Sequence, residues 1–139
     1  MNLEFTPEEA LCHLFFHCCF RDGKMTEKEI DVVSEKLVTI GLNRELNFKD
    51  EMIRYQSYRS EIDDEGMYVK KLVAQIHPTN ELALFSFCIE LCLGDGQLQA
   101  EEEALLHTLA AALDLDEETQ RICTKLMVER KVVETEKVV

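Results

Sequence analysis

The sequence predicts an all-α fold, a seven-helix bundle that contains two copies of one helix-turn-helix unit. Helix-start signals recur along the chain, whereas the alternation of apolar and polar residues that marks strands is absent. Only five glycines and two prolines interrupt the 139 residues. Most informatively, two stretches 73 positions apart carry the same pattern, in which an apolar segment stops at an Asp-Gly pair, first at Asp22-Gly23 and again at Asp95-Gly96.

The match between the two stretches extends well beyond the turn. In each copy an apolar residue follows two places after the glycine, and a glutamate stands seven places after the aspartate, at Glu29 and Glu102. Asp-Gly alone marks turns in many contexts, but a shared register over some thirty positions indicates an internal duplication. The aligned upstream positions are Leu11, Leu14, Phe16 and Cys19 in the first copy, and Leu84, Phe87, Ile89 and Cys92 in the second.

The helix starts of the first copy are capping boxes. Thr6 precedes a proline and stands three residues before Glu9, so helix 1 is predicted from about residue 7 to 21. Thr26 and Glu29 repeat this arrangement and open helix 2, which is expected to end at glycine 41.

The remaining helices are predicted from single caps and breaks. Asn43 is expected to cap helix 3, and helix 4 must end before Pro78, because the residue before a proline is pushed out of the helical region. Thr79 or Asn80 then caps helix 5, and helix 6 follows from about 99 to 113. Asp116 caps helix 7.

Helices 1 and 5 are apolar nearly all round and are therefore expected to pack centrally and against each other. Each also carries a narrow polar stripe at a spacing of four. The stripes are Glu9, His13, His17 and Arg21 in helix 1, and Ser86 and Glu90 in helix 5. We expect one domain over 6–131, divided into repeat 1 (about 6–42), linker helices (43–78), repeat 2 (about 79–115) and a final helix (116–131).

Composition limits the classes of function. The net charge of −13 argues against nucleic acid or an anionic membrane surface as a partner. No apolar run approaches the roughly 18 residues of a membrane span, and the first residues lack the features of a secretion signal. These observations predict a cytoplasmic protein without membrane insertion. Its six cysteines are expected to be reduced and to serve as small buried hydrophobes.

The Asp-Gly spacing also matches the second half of a calcium-binding EF-hand loop. The first half fails, because the residues at its first and third ligand positions have no side-chain oxygen. They are Cys18 and Phe20 in one copy, and Leu91 and Leu93 in the other. Two interpretations remain for each turn: a structural cap, or a weak site for calcium, magnesium or manganese completed by water. The candidate ligands are Asp22, Glu29, Asp95 and Glu102, and the turn glycines are Gly23 and Gly96.

A helix that ends in Asp-Gly, followed by an apolar residue, a glutamate and an amphipathic helix, resembles the TerB-like proteins. These include the tellurite-resistance TerB group and the N-terminal module of DjlA-type co-chaperones. The resemblance covers about 6–42 and 80–130 and implies an all-helical domain with an acidic, metal-binding surface and a link to stress response. This chain departs from the pattern at Arg21, where a small residue is usual. Its 139 residues include no J-domain and no glycine-rich segment, so we do not expect a DjlA-type chaperone role.

Other chemistry is possible with the same residues. His13 and His17, like Cys88 and Cys92, stand four apart on a helix, a spacing that can hold zinc. Cysteine nucleophiles lack a recognisable motif, while carboxylates of both turns could converge on metals in a hydrolase. We expect a non-catalytic acidic module that binds a partner protein and a divalent cation. The alternative is a metal-dependent enzyme built on the acidic turns. The sequence leaves the oligomeric state open.

Overall fold

The computed structural model describes residues 3–94 and 97–135, without the side chain of Thr135. Over these residues it contains seven α-helices, two short 3-10 helices and no strand. The predicted all-α class is therefore confirmed. The α-helices are α1 (Pro7–Phe20), α2 (Glu27–Thr39), α3 (Phe48–Tyr58), α4 (Glu65–Ile76), α5 (Glu81–Cys92), α6 (Ala100–Ala112) and α7 (Glu117–Thr135), and the 3-10 helices are Asn43–Glu45 and Arg59–Glu61.

Most helix starts lie where their caps predicted them. The Thr6 hydroxyl accepts from the backbone N–H of Glu9, and the Glu9 carboxylate accepts from that of Thr6, which makes the predicted capping box. Of the two candidates for α5, Asn80 is the cap. Asp116 accepts from the backbone N–H of Thr119 at the start of α7. Each contact pairs one of the backbone donors that a helix start leaves without an intrahelical partner.

The predicted start of helix 3 is wrong. Asn43 begins a 3-10 turn, and α3 starts only at Phe48, where Asn47 accepts from the backbone N–H of Asp50. Two asparagines four residues apart are both competent caps, and the sequence alone did not distinguish the cap of a single turn from the cap of a long helix.

The chain divides into two compact units between Pro78 and Thr79. In unit 1, helix α1 packs against α2, α3 and α4, and in unit 2, α5 packs against α6 and α7. Helix α1 is buried on almost every side, including Phe15 and Phe16, as its apolar sequence predicted. The expectation that helices 1 and 5 pack together stays a prediction, as does the single domain over 6–131.

The second helix of each repeat has the same length and the same C-terminal geometry. Helices α2 and α6 both comprise 13 residues, with bounds shifted by the same 73 positions. Gly41 and Asp114, at equivalent positions, both adopt a left-handed backbone with φ of 78° and 60°. The backbone N–H groups of Leu42 and Leu115 then donate to the carbonyls of Leu37 and Ala110 at 2.9 and 3.0 Å. This is the Schellman arrangement of a helix end.

None of the described helices combines the length and the apolar character that a membrane crossing requires.

The left-handed positions give a matched pair of stability tests. Gly41→Ala should destabilise the protein by about 1 kcal/mol, because a Cβ is unfavourable at positive φ even though it would meet no atom within 4 Å. Asp114→Gly should stabilise it by about 0.5 kcal/mol through relief of the same strain. Urea unfolding followed by far-UV circular dichroism measures both changes.

Gly94→Ala is the control for this pair, since Gly94 is outside the left-handed region and an added Cβ would make only an ordinary contact at 3.6 Å with the Leu91 carbonyl oxygen. Equal effects of Gly41→Ala and Gly94→Ala would contradict the assignment of a strained helix end.

Candidate functional site

The polar stripe of α1 faces two other helices of unit 1 rather than solvent. His13 is fully buried and His17 is 3% exposed. Both rings meet tyrosine and glutamate side chains of α3 and α4. We call this group the Tyr–His–Glu cluster; its members are His13, His17, Glu51, Tyr55, Tyr58, Glu65 and Tyr68.

His13 is bonded at both ring nitrogens. Nε2 lies 2.8 Å from Glu51 Oε1, and Nδ1 lies 2.6 Å from the Tyr58 hydroxyl oxygen. An ionised carboxylate only accepts, so His13 Nε2–H donates to Glu51 and Nδ1 accepts from Tyr58. The Tyr58 oxygen is 2.6 Å from that of Tyr68, which must then be the donor. The result is a directed chain of hydrogen bonds from α4 through α3 to α1 and back to α3.

One turn further along α1, His17 repeats the arrangement. Its Nδ1 accepts from the Tyr55 hydroxyl at 2.8 Å, and its Nε2–H donates to Glu65 Oε2 at 3.0 Å. Arg21 Nη2 donates to both oxygens of the same carboxylate at 2.7 and 2.8 Å. Two Tyr–His–Glu units thus lie side by side, with the histidines on α1 and their partners on α3 and α4.

Burial controls the titration of the first unit. Burial, with a smaller contribution from the positive charge of Arg54, lowers the pKa of His13 to about 3. Burial and the nearby Glu9 carboxylate raise the pKa of Glu51, although Arg54 opposes them. Burial also raises the pKa of Tyr58 well above its usual range. The neutral imidazole is therefore the form that the folded unit holds at physiological pH.

The second unit contains a charged anchor instead. Burial alone would raise the pKa of Glu65, but hydrogen bonds from His17 and Arg21, together with the positive charge of Arg21, outweigh it and leave that pKa below its ordinary value. Burial raises the pKa of Tyr55, which bonds to His17, far above the ordinary range, and it does the same for Tyr68, which bonds to Tyr58 of the first unit. The ionised Glu65 is thus fixed by α1 donors while the tyrosines stay neutral.

A short segment before α1 covers the first unit. The Phe5 ring lies 4.4 Å from the His13 ring, measured between centroids. The Arg54 guanidinium lies over the Phe5 ring, 4.2 Å from its centre, and forms the second part of the cover. Its Nη1 is 3.6 Å from Glu51 Oε1. An apolar and cationic cover of this kind separates His13 from solvent and accounts for its low pKa.

The first Asp-Gly turn is used structurally. Asp22 Oδ1 accepts from the backbone N–H of Lys24 at 2.9 Å, and Gly23 has a left-handed φ of 85°. The Glu29 carboxylate accepts from the Thr26 hydroxyl at 2.8 Å, at the start of α2. Both candidate ligands of this copy therefore have hydrogen-bond partners within the turn and the helix that follows it.

Arg21, where this chain departs from the family pattern, pairs with Glu65 at the start of α4. Arg59 lies beside the turn, and its Nη1 donates to the Arg21 carbonyl at 3.1 Å. A Cβ added at Gly23 would lie 2.8 Å from Arg59 Nη2, so the guanidinium packs directly on the glycine. This turn thus has a fixed positive charge beside it.

The second turn is described only in part, because Asp95 and Gly96 lie outside the described residues. Glu102 Oε1 accepts from the backbone N–H of Gln99 at 2.9 Å, at the start of α6. Over residues 3–94 and 97–135, no three His, Cys, Asp or Glu side chains come close enough together to hold a metal ion. Cation binding at the turns stays a prediction.

The histidines and cysteines have structural surroundings. Both nitrogens of each histidine in the cluster are engaged by protein side chains. All six cysteines lie among the described residues and none forms a disulfide; four are buried and two half-buried. Burial raises the pKa of Cys12 well above its usual range, which disfavours its thiolate. These surroundings give no support to the zinc or thiol chemistry that the spacing allowed.

The glutamates and tyrosines of the cluster were missed by sequence reasoning. Glu51, Tyr55 and Tyr58 follow at intervals of four and three and so share one face of α3, and Glu65 and Tyr68 do the same on α4. A signal was available in the sequence. Helices α3 and α4 carry polar residues on their apolar faces, and such residues need hydrogen-bond partners, which the histidine stripe of the apolar helix α1 could supply.

The cluster can orient helices and hold protons in place. A general base needs a ring nitrogen that reaches a substrate, whereas both nitrogens of His13 and His17 are bonded to protein side chains. Among the described residues, every buried side-chain nitrogen and oxygen has a hydrogen-bond partner.

Because of His13, the free energy of unfolding should decrease as the pH is lowered. Its pKa is about 3 in the folded unit and about 6.5 when unfolded, so the unfolded chain binds the extra proton between these values. Acidification from pH 7.5 to 5.5 should then cost about 1.4 kcal/mol of unfolding free energy through this residue. The raised pKa of Glu51 acts in the opposite direction at lower pH, which is why the window ends at 5.5.

His13→Gln should remove this part of the pH dependence, whereas His107→Gln, at an exposed position of α6, should leave it intact. Tyrosine fluorescence during urea unfolding reports on unit 1 alone, because all three tyrosines lie in it. Identical pH profiles for the parent and His13→Gln would show that His13 titrates normally in the folded protein.

The comparison with known families gives one result. A family model described as "Tellurite resistance protein TerB" matches residues 8–124, which include both turns and the whole cluster. Searches of curated proteins and of solved structures returned no match.

Proposed function

Because the chain belongs to the TerB family, we propose that it acts as a non-catalytic helical module that binds a partner protein and, weakly, a divalent cation. The observation that carries this proposal is the closed Tyr–His–Glu cluster. Its buried histidines are bonded at both nitrogens to tyrosines and glutamates of the same unit. The buried histidines of α1 therefore have a structural role, and we expect binding to use residues at the surface.

The surface has the properties of a binding module. Its net charge of −13 favours cations and basic partner surfaces. Large apolar side chains are also exposed on several helices, which is a feature of interaction surfaces when they cluster. They include Val38, Ile53, Met67, Leu82, Ile122, Leu126, Val132 and Val133.

The Asp-Gly turns are the proposed cation sites, in agreement with the acidic motif of the family. Each offers an aspartate and a glutamate, so water must complete the coordination shell and the affinity should be near the millimolar end of oxygen-ligand sites. The second turn should bind better, because Arg59 lies against the first at Gly23. A metal-dependent hydrolase would need the carboxylates of both turns to converge on metal ions. No observation on the described residues favours that arrangement, so it is not proposed.

Calorimetric titration of the chelator-treated protein with calcium, magnesium, manganese and zinc tests the cation part. Asp95→Asn with Glu102→Gln should weaken calcium, magnesium or manganese binding more than Asp22→Asn with Glu29→Gln does. The asparagine and glutamine variants keep the size and the hydrogen-bonding of the helix starts, so they remove mainly charge. No heat of binding at millimolar cation would mean that both turns are structural only.

The partner part is tested by affinity capture with the immobilised chain from cells that produce it, followed by reconstitution with the purified partner. A dissociation constant that rises with salt is expected if the negative surface contributes. Failure of every captured protein to bind again in purified form would contradict a protein-binding role.

A further inference from the structure

Residues 3–6 precede α1 and lie before the part of the chain that the family model covers. They pack on a surface of unit 1 that includes His13, Arg54 and Gln75, which we call the groove. Leu3 is buried and Phe5 half-buried, whereas Glu4 and Thr6 are exposed. This alternation is that of an extended chain with one face against the protein. We call residues 3–6 the strap.

The groove binds the strap through its backbone as well as its side chains. The Gln75 side chain of α4 accepts from the Phe5 backbone N–H at 2.8 Å and donates to the Leu3 carbonyl at 3.2 Å. From α3, Arg54 Nη2 donates to the Glu4 carbonyl at 2.6 Å. A side-chain amide that pairs with a donor and an acceptor two residues apart recognises extended backbone whatever its sequence.

The side-chain positions supply the sequence preference. The Phe5 ring packs against the His13 ring, 4.4 Å away between centroids, and against the Arg54 guanidinium, whose Cζ lies 4.2 Å from the Phe5 centroid. Leu3 is 8% exposed. The groove therefore fits an extended segment of three consecutive residues, of which the first is apolar, the second can be any residue and the third is aromatic.

We propose that this groove is a docking site for an extended apolar-x-aromatic segment of a partner chain, and that the strap occupies it in the free protein. The inference rests on the proposed role as a partner-binding module and specifies its surface. The strap provides the chemistry of the occupant, since its own contacts define what fits. A tethered segment competes at an effective concentration of about millimolar, so the strap restricts binding to segments that fit better or are presented at high local concentration.

The test uses the full chain with a weakened strap, Leu3→Ser with Phe5→Ser, and a fluorescent peptide of sequence Asn-Leu-Glu-Phe-Thr-Pro. Fluorescence anisotropy should show saturable binding to this variant and at least tenfold weaker binding to the parent. A peptide with serine at the leucine and phenylalanine positions is the matched control and should not bind. Gln75→Glu keeps the acceptor but loses the donor to the Leu3 carbonyl, and in the weakened background it should reduce peptide affinity about fivefold or more.

Near-UV circular dichroism of the tyrosines checks that unit 1 of the variant is folded, and Leu3→Ser alone is the substitute if the double variant is not. A folded variant that fails to bind the peptide at millimolar concentration overturns the proposal. So does a dimer of the parent that depends on Leu3 and Phe5, because a second copy would then be the occupant.

The two proposals fail separately. Peptide binding without any partner in the capture experiment would retain the groove and reject the proposed function. Capture of a partner that binds the parent and Gln75→Glu equally would retain the function and reject the groove.

Discussion

The structure of unit 1 depends on the burial of two histidines in a helix that is otherwise apolar after its first turn. A polar group removed from water costs free energy unless its hydrogen bonds are replaced. His13 and His17 meet this requirement through two tyrosines and two glutamates, one pair for each ring. Because these partners lie on α3 and α4, the hydrogen bonds fix both helices against α1 in one rotational setting.

This constraint reaches the elements around it. Glu65 binds His17 and also Arg21 at the end of α1, where the backbone carbonyl of Arg21 accepts from Arg59. Arg59 in turn packs on Gly23 of the first Asp-Gly turn. At the other end of the cluster, Arg54 connects Glu51 to the strap through Phe5 and the Glu4 carbonyl. Charged residues therefore connect the buried cluster to the acidic turn on one side and to the proposed docking groove on the other.

The sequence predicted local structure well, because local structure depends on near neighbours. Thr6 with Glu9, Asn80 and Asp116 were recognisable as caps, and the repeated turns predicted the equal lengths of α2 and α6. The prediction that Asn43 caps helix 3 was wrong because Asn43 and Asn47 are both competent caps. The cap of α3 in the structure is Asn47, and local sequence does not decide between the two.

The partners of the stripe could not be predicted in the same way. His13 and Glu51 are 38 positions apart, and their contact exists only when α1 and α3 pack with these faces together. Arg21 stands next to Asp22 in the sequence, but its side chain pairs with Glu65, 44 positions away. A spacing shows which residues share a face, whereas the facing helix has to be supplied by tertiary structure.

The most direct test of the closed cluster is the protonation state of His13, measured by nitrogen NMR of the imidazole rings as a function of pH. A ring held between Tyr58 and Glu51 should stay neutral, with the proton on Nε2, from pH 7.5 to below pH 5. His107, on the exposed face of α6, is the internal reference. A His13 ring that gains its second proton near pH 6.5 in the folded protein would contradict the account, because the cluster would then be open to water.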